Sequence, residues 1–286
     1  MKRRFTRIVT AVLAVSMMYG STAYAAGAAS GTAQAVQETG ANTTLSDNSA
    51  NAGAYVPMDS EYEQFFADSV LIGDSVSQGF ENYAMQMKNQ SKEAGQPVDP
   101  VLGTMKFLTS SGYSLLGAFD PVSATSKHPR CMGQQRPVWE SVKLLGAKHI
   151  YMFLGINDLG GKYHITWKYK ALIKKIKEVN PDCDFTILSA TPTVKDGAQK
   201  GVNNQAIREL NVELKKMAKE NGWNYIDIAT RVSDAEGNLK QEYNLDNYIH
   251  ENAAGYAVWT QTLKDYAAPK IYAIRQQVLA QMSNAQ

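Results

Sequence analysis

The chain has 286 residues, 44% hydrophobic and 20% charged, a balance that supplies a real core and excludes a wholly disordered or fibrous chain. Its net charge is +2 and it holds only two cysteines, which excludes a disulfide-rich scaffold. Residues 1–25 contain four basic side chains, Lys2, Arg3, Arg4 and Arg7, and no acidic ones, so without them the balance falls from +2 to −2 and gives no electrostatic reason to expect a nucleic-acid partner.

Those 25 residues place the basic cluster before an apolar run and end on Ala23-Tyr24-Ala25, the pattern of a cleaved secretory signal peptide. No later run reaches the ~20 apolar residues a membrane crossing needs, so a secreted protein without a membrane span is expected. Residues 26–54 are rich in Ala, Gly, Ser, Thr, Asn and Gln and read as a disordered low-complexity leader. Residues 55–286 then suit one large domain.

Ser60 and Glu63 suggest a capped short helix before the first strand, the apolar run Val70-Leu71-Ile72. That strand breaks at Gly73-Asp74, and Ser75 sits on the turn into a helix that continues over residues 80–92. After a Gly/Pro-containing loop, Met105 to Leu108 reads as a second strand, followed by Thr109-Ser110-Ser111-Gly112. Residues 117–136 form a long irregular stretch with Lys127, His128, Arg130 and Cys131. Pro137 is suited to the start of a helix, after which the apolar run from His149 to Leu154 forms a third strand ending at Gly155-Ile156-Asn157-Asp158. Helical periodicity over 163–179 stops before Pro181, with Lys168, Lys170, Lys174, Lys175 and Lys177 on its solvated face. A fourth strand at 185–189, a helix at 203–220, a fifth strand at 223–228 and a long loop lead to His250. Helical patterns through Tyr256, Trp259 and Leu263 and then over 271–282 close the chain. In this layout Cys131 and Cys183 fall at opposite ends of the sheet, which argues against a bridge between them.

Continuous apolar strands alternating with helices predict an α/β fold with a parallel sheet covered on both faces. Such sheets bind ligands outside the carboxyl ends of their strands, and Ser75, Gly112, Asn157, Thr191 and His250 all follow strands. A serine hydroxyl becomes a nucleophile when a base takes its proton, and His250 can do so and later return the proton to a leaving alcohol. The backbone amides of Ser75 and Gly112 and the side-chain amide of Asn157 are candidate donors to the resulting oxyanion. Asp74 and Asp158 read as turn holders, and His149 and His164 as structural and exposed, respectively. His128 is a candidate for the pocket mouth, and Trp139, Trp167 and Tyr248 for a sugar-stacking surface. The histidines show no metal-ligand spacing, so no metal is expected.

Gly73-Asp74-Ser75, Gly112, Gly155-x-Asn157-Asp158 and His250, in that order and each after its expected strand, resemble the four blocks of the SGNH (GDSL) hydrolases. The resemblance implies a flavodoxin-like three-layer α/β/α sandwich with a five-stranded parallel sheet, no cofactor, and hydrolysis or transfer of ester-linked acyl groups. It implies an acid three residues before the histidine, where this chain has Asn247, with Asp246 one residue earlier. The alternatives at that point are Asp246, Asn247 or a backbone carbonyl as the orienting group, with Asp246 favoured because a carboxylate stabilises an imidazolium. The expected activity is a serine esterase acting on small acyl groups, acetyl foremost, on a carbohydrate or cell-envelope polymer. The rivals are a lipase or lysophospholipase of the same fold, an acyltransferase, and a catalytically inactive binding module.

Overall fold

The structure, a computed structural model, describes residues 55–161, 164–199 and 201–284. The expected signal peptide (1–25) and leader (26–54) lie outside the described residues. The chain divides into two compact units, one spanning Pro57–Ala268 and the other taking in the described residues 55, 56 and 269–284. In the second unit, the ring of Tyr55 lies 5.5 Å from that of Tyr272, with the Arg275 guanidinium 5.4 Å over it.

The larger unit is built on five parallel strands: β1 (Ser69–Gly73), β2 (Lys106–Thr109), β5 (His149–Phe153), β6 (Asp184–Leu188) and β7 (Asn224–Ile226), in the order β2-β1-β5-β6-β7. Every residue of β1 is buried, as a central strand covered on both faces must be. The helices are α1 (Asp59–Phe66), α2 (Ser75–Ala94), α3 (Pro100–Thr104), α4 (Val138–Leu144), α5 (Ile165–Val179), α6 (Asn204–Glu220), α7 (Ala229–Val232) and α8 (Ala253–Ser283), the last with Pro269 inside it. Together they make the three-layer α/β/α sandwich.

The core explains why these elements assemble. Tyr151 and Phe153 are two residues apart on β5 and so share a face, where Phe66 of α1 lies 6.1 Å from Tyr151 and Trp259 of α8 lies 4.9 Å from Phe153. Trp259 is fully buried and also meets Phe80 of α2 at 5.4 Å. α5 buries Tyr169, Leu172, Ile173 and Ile176, while α6 buries Ile207, Leu210, Leu214 and Met217, the i, i+3, i+7 stripe that its amphipathic pattern requires.

Three expectations need correction. The first helix begins at Asp59, and the reciprocal cap is Glu61, whose Oε2 accepts from the Met58 amide at 2.9 Å, not a Ser60/Glu63 pair. The Gly/Pro loop after α2 contains α3, capped by Asp99, whose Oδ1 accepts from Val101 N at 2.9 Å. The irregular stretch 117–136 contains a 3-10 turn, Gly117–Phe119, and a small antiparallel hairpin, β3 (Arg130–Cys131) with β4 (Gln134–Gln135). Cys131 and Cys183 are separate buried thiols. Among the described residues no helix is long and apolar enough to cross a membrane.

Candidate active site

β1 delivers Ser75 to the first turn of α2. Gly73 has no alternative at its position: a Cβ there would fall 2.0 Å from Ser77 Oγ and 2.8 Å from the Phe153 carbonyl oxygen. Asp74 caps α2 through Oδ1, which accepts from Val76 N at 3.0 Å, while Ser77 Oγ donates to the Asp74 carbonyl at 2.9 Å. Its carboxyl is completely buried, and burial pushes it up to about 7. The role of Asp74 is thus to hold the turn, as the sequence suggested. Tyr256 of α8 clamps the same turn by donating its hydroxyl to Val76 O at 2.8 Å, and it gets that close because residue 79 is glycine.

The loop before α8 supplies the base. His250 Nε2 lies 2.9 Å from Ser75 Oγ, a contact spanning 175 positions in sequence. Its other ring nitrogen, Nδ1, lies 2.5 Å from Asp246 Oδ2. The second carboxylate oxygen of Asp246 accepts from the amides of Tyr248, Ile249 and His250 at 2.9, 3.2 and 3.3 Å. Burial opposes the Asp246 charge, but the bonds from the His250 ring and these amides outweigh it and hold the carboxyl below its ordinary range. Asn247 points elsewhere. It takes a left-handed conformation, φ 57°, and its Oδ1 accepts from Gln241 Nε2 at 3.0 Å.

The oxyanion candidates occupy the neighbouring strand ends. Ser110 N donates to Gly73 O at 3.2 Å, tying the exit of β2 to β1. Asn157 Nδ2 donates to Tyr113 O at 3.0 Å with one hydrogen, leaving the other for a ligand. Gly112 lies between these two anchors at φ 73°. Asp158 fixes the following residues by accepting from Leu115 N and Leu116 N at 2.9 and 3.2 Å. The loop and the Asn157 turn are therefore locked to each other before any substrate arrives.

Ser75 and His250 line a cleft of about 470 Å³ together with Gln78, Asn82, Tyr83 and Leu245. Glu251, the next residue along, also lines it. Its Oε2 accepts from Trp259 Nε1 at 2.9 Å, and burial pushes its carboxyl up to about 8. Sequence reasoning missed Glu251, Gln78 and Asn82: the first has no motif around it, and the other two look like ordinary surface amides of a helix. Thr191 is fully buried behind the rim. His128 is not among the residues lining the Ser75 cleft; it lines the neighbouring cavity, is 1% exposed and donates Nε2–H to Asp120 O at 2.8 Å. Trp139, Trp167 and Tyr248 line neither cavity; instead Phe119 lies 6.0 Å from Trp139, and Lys168 sits over the rings of Phe119 and Trp167. His149 pairs with Asp184 at 2.7 Å where β5 and β6 begin, at the end of the sheet away from Ser75. Among the described residues no group of three His, Cys, Asp or Glu side chains is placed to hold a metal ion.

A hydroxyl, an imidazole and a carboxylate bonded in series at the carboxyl end of a parallel α/β sheet have the make-up of an acyl-group hydrolase. Residues 71–258 match the GDSL-like lipase/acylhydrolase family, and the chain belongs to that family. Solved structures similar to it include a GDSL-like lipase from Bacteroides thetaiotaomicron, at 18% identity over 77% of this chain and 94% of that one, with a TM-score of 0.49. Others are a carbohydrate esterase family 3 protein from Talaromyces cellulolyticus (14% identity, 72% and 98% coverage, TM-score 0.48) and a lipase/acylhydrolase from Enterococcus faecalis (13% identity, 71% and 96% coverage, TM-score 0.47). No curated protein matches the chain.

Proposed function

We propose that the chain is an exported serine esterase that removes small acyl groups, acetyl foremost, from a carbohydrate or cell-envelope polymer. The observation that carries this reading is the relay from Ser75 Oγ to His250 Nε2 at 2.9 Å and from Nδ1 to Asp246 Oδ2 at 2.5 Å. Export is supported by the charge and apolar pattern of residues 1–25. The polymer carrier is supported by the polar wall that extends from the cleft along α2.

Ser75 Oγ attacks the ester carbonyl carbon as its proton passes to His250 Nε2. Asp246, already charged, stabilises the imidazolium through Nδ1–H. The carbonyl oxygen becomes an oxyanion facing the amides of Ser75 and Gly112 and the free hydrogen of Asn157 Nδ2. Collapse breaks the bond to the alcohol, which leaves with the proton from Nε2, and the acyl group stays on Oγ. Water then attacks the acyl carbon, gives its proton to Nε2, and the acid departs as Oγ recovers that proton.

The test is acetate release from acetylated polysaccharides by the full chain beside Ser75→Ala, with a fluorophosphonate probe for labelling. Release and labelling by the parent protein, both lost in Ser75→Ala, are the expected result. An unlabelled parent with no turnover would leave the inactive binding module standing. Rates across nitrophenyl esters of increasing chain length separate the remaining rivals: a maximum at acetate supports this reading, and one at long chains supports a lipase.

A further inference from the structure

The helix that begins at Ser75 carries Gln78 and Asn82 at i+3 and i+7, so all three residues share one face, with Asn82 about 10 Å along the axis from the serine. Neither carboxamide hydrogen-bonds to any described residue. Both line the cleft that holds Ser75 and His250, and both also line a second cavity of about 310 Å³. The two cavities therefore meet along this face of α2, and the second extends the first past Asn82.

The rest of that extension is lined mostly by polar groups, with Met85 and Phe107 the apolar members, and carries both signs of charge. Glu81 accepts from the Thr109 hydroxyl with one oxygen. Arg130, on the small hairpin, spends Nη1 on the carbonyl of Gly133 at 2.9 Å and forms no ion pair among the described residues. Gln135 spends Nε2 on Ser126 O at 3.0 Å, which leaves its Oε1 as an acceptor. Three carboxamides, a carboxylate and a guanidinium offer both donors and acceptors. An alkyl chain laid there would strip their water and return no hydrogen bond, whereas a string of hydroxyl groups, each both donor and acceptor, would replace it.

We propose that the groove running from Ser75 past Gln78 and Asn82 to Arg130 is the carrier subsite, holding the sugar residues that lie beyond the acylated one. The proposal rests on the esterase reading and adds to it the direction in which the polymer lies and the residues that select it. Gln78 and Asn82 contact the sugar nearest the ester, and Glu81, Arg130 and Gln135 contact the one beyond.

The experiment compares kcat/KM of the full chain and its Asn82→Ala and Arg130→Ala variants on p-nitrophenyl acetate and on an O-acetylated xylo-oligosaccharide. The expected result is that the ratio of the oligosaccharide value to the nitrophenyl value falls at least tenfold in each variant, mainly through KM. A ratio unchanged within twofold overturns the carrier subsite and leaves the esterase standing. So does a variant that instead changes the chain-length preference among nitrophenyl esters, because the cavity would then be holding acyl groups. A parent protein that hydrolyses neither ester and takes no fluorophosphonate label removes the esterase reading, and this proposal with it.

Discussion

Replacing Asp246 with asparagine tests the relay where this chain departs from its family's spacing. Asparagine keeps the shape but has one oxygen where Asp246 uses two: with that oxygen still accepting from the backbone amides of Tyr248, Ile249 and His250 the turn survives, while an NH2 group faces His250 Nδ1, so the charge is lost and the imidazole is pushed to the tautomer with its proton on Nε2. A hydrogen bond to a charged group is worth about 1.5–3 kcal/mol. If the whole of it is felt when the imidazolium forms, each 1.36 kcal/mol is tenfold in rate, which gives a loss of at least roughly 10- to 100-fold in kcat, and the wrong tautomer adds to it by removing the acceptor for the Ser75 proton. The side chains of His250 and Asp246 are 32% and 34% exposed, so solvent screens part of the field, and the loss should lie between that figure and the ~10⁴-fold that the wrong tautomer costs a fully buried pair. Asn247→Gly keeps the left-handed conformation at φ 57° and removes the bond to Gln241, and should cost less than about threefold by the same conversion. The assay is kcat on p-nitrophenyl acetate, normalised by active-site titration with a fluorophosphonate. Full activity in Asp246→Asn with a large loss in Asn247→Gly would refute the assignment.

Asn157→Ala removes one oxyanion donor and the bond to Tyr113 O; kcat should fall by about 10²- to 10³-fold. A change within threefold in steady-state rates would show that the amide does not face the reacting carbonyl. Glu251 is held at about 8 by burial, against an ordinary value of 4.5, so between those values the unfolded chain has released a proton that the folded chain keeps. Stability therefore falls as pH rises through that window, by at most about 1.4 kcal/mol per pH unit from this group. Glu251→Gln keeps an acceptor for Trp259 and should flatten the decline of Tm across the window, with a residual slope from Asp74, which burial raises to about 7; a decline as steep as the parent's would count against it.

Most of the sheet was readable because its strands are short apolar runs bounded by turn residues, and parallel strands buried on both faces leave that mark and little else. What stayed hidden was short or unconventionally signalled. α3 is five residues long, too short to show a period, although Asp99 and Pro100 at its start are ordinary helix-opening residues. The β3-β4 hairpin turns through Met132 and Gly133 at φ 51° and 80°, the conformation that Asn-Gly usually announces, and methionine in the first place conceals it. The closing helix reads as two patterns because Pro269 interrupts it, yet one proline costs a single interior hydrogen bond and the helix continues.

The site divides along a similar line. Ser75 and Asn157 sit in short motifs at strand ends and His250 on the long loop after the last strand, so chain order alone brought them to one rim. The orienting acid could not be chosen by counting, because the outcome turns on one backbone angle. With Asn247 at φ 57°, a conformation that asparagine tolerates better than most residues, the chain folds back sharply enough for a carboxylate four positions before the histidine to reach its ring. The same fold-back aims three successive amides at Asp246 Oδ1, so the carboxylate is fixed by the backbone before it meets the imidazole. In the proposed mechanism that matters at the moment of proton transfer: the charge facing Nδ1–H is already in place, and no side chain has to be ordered to stabilise the imidazolium.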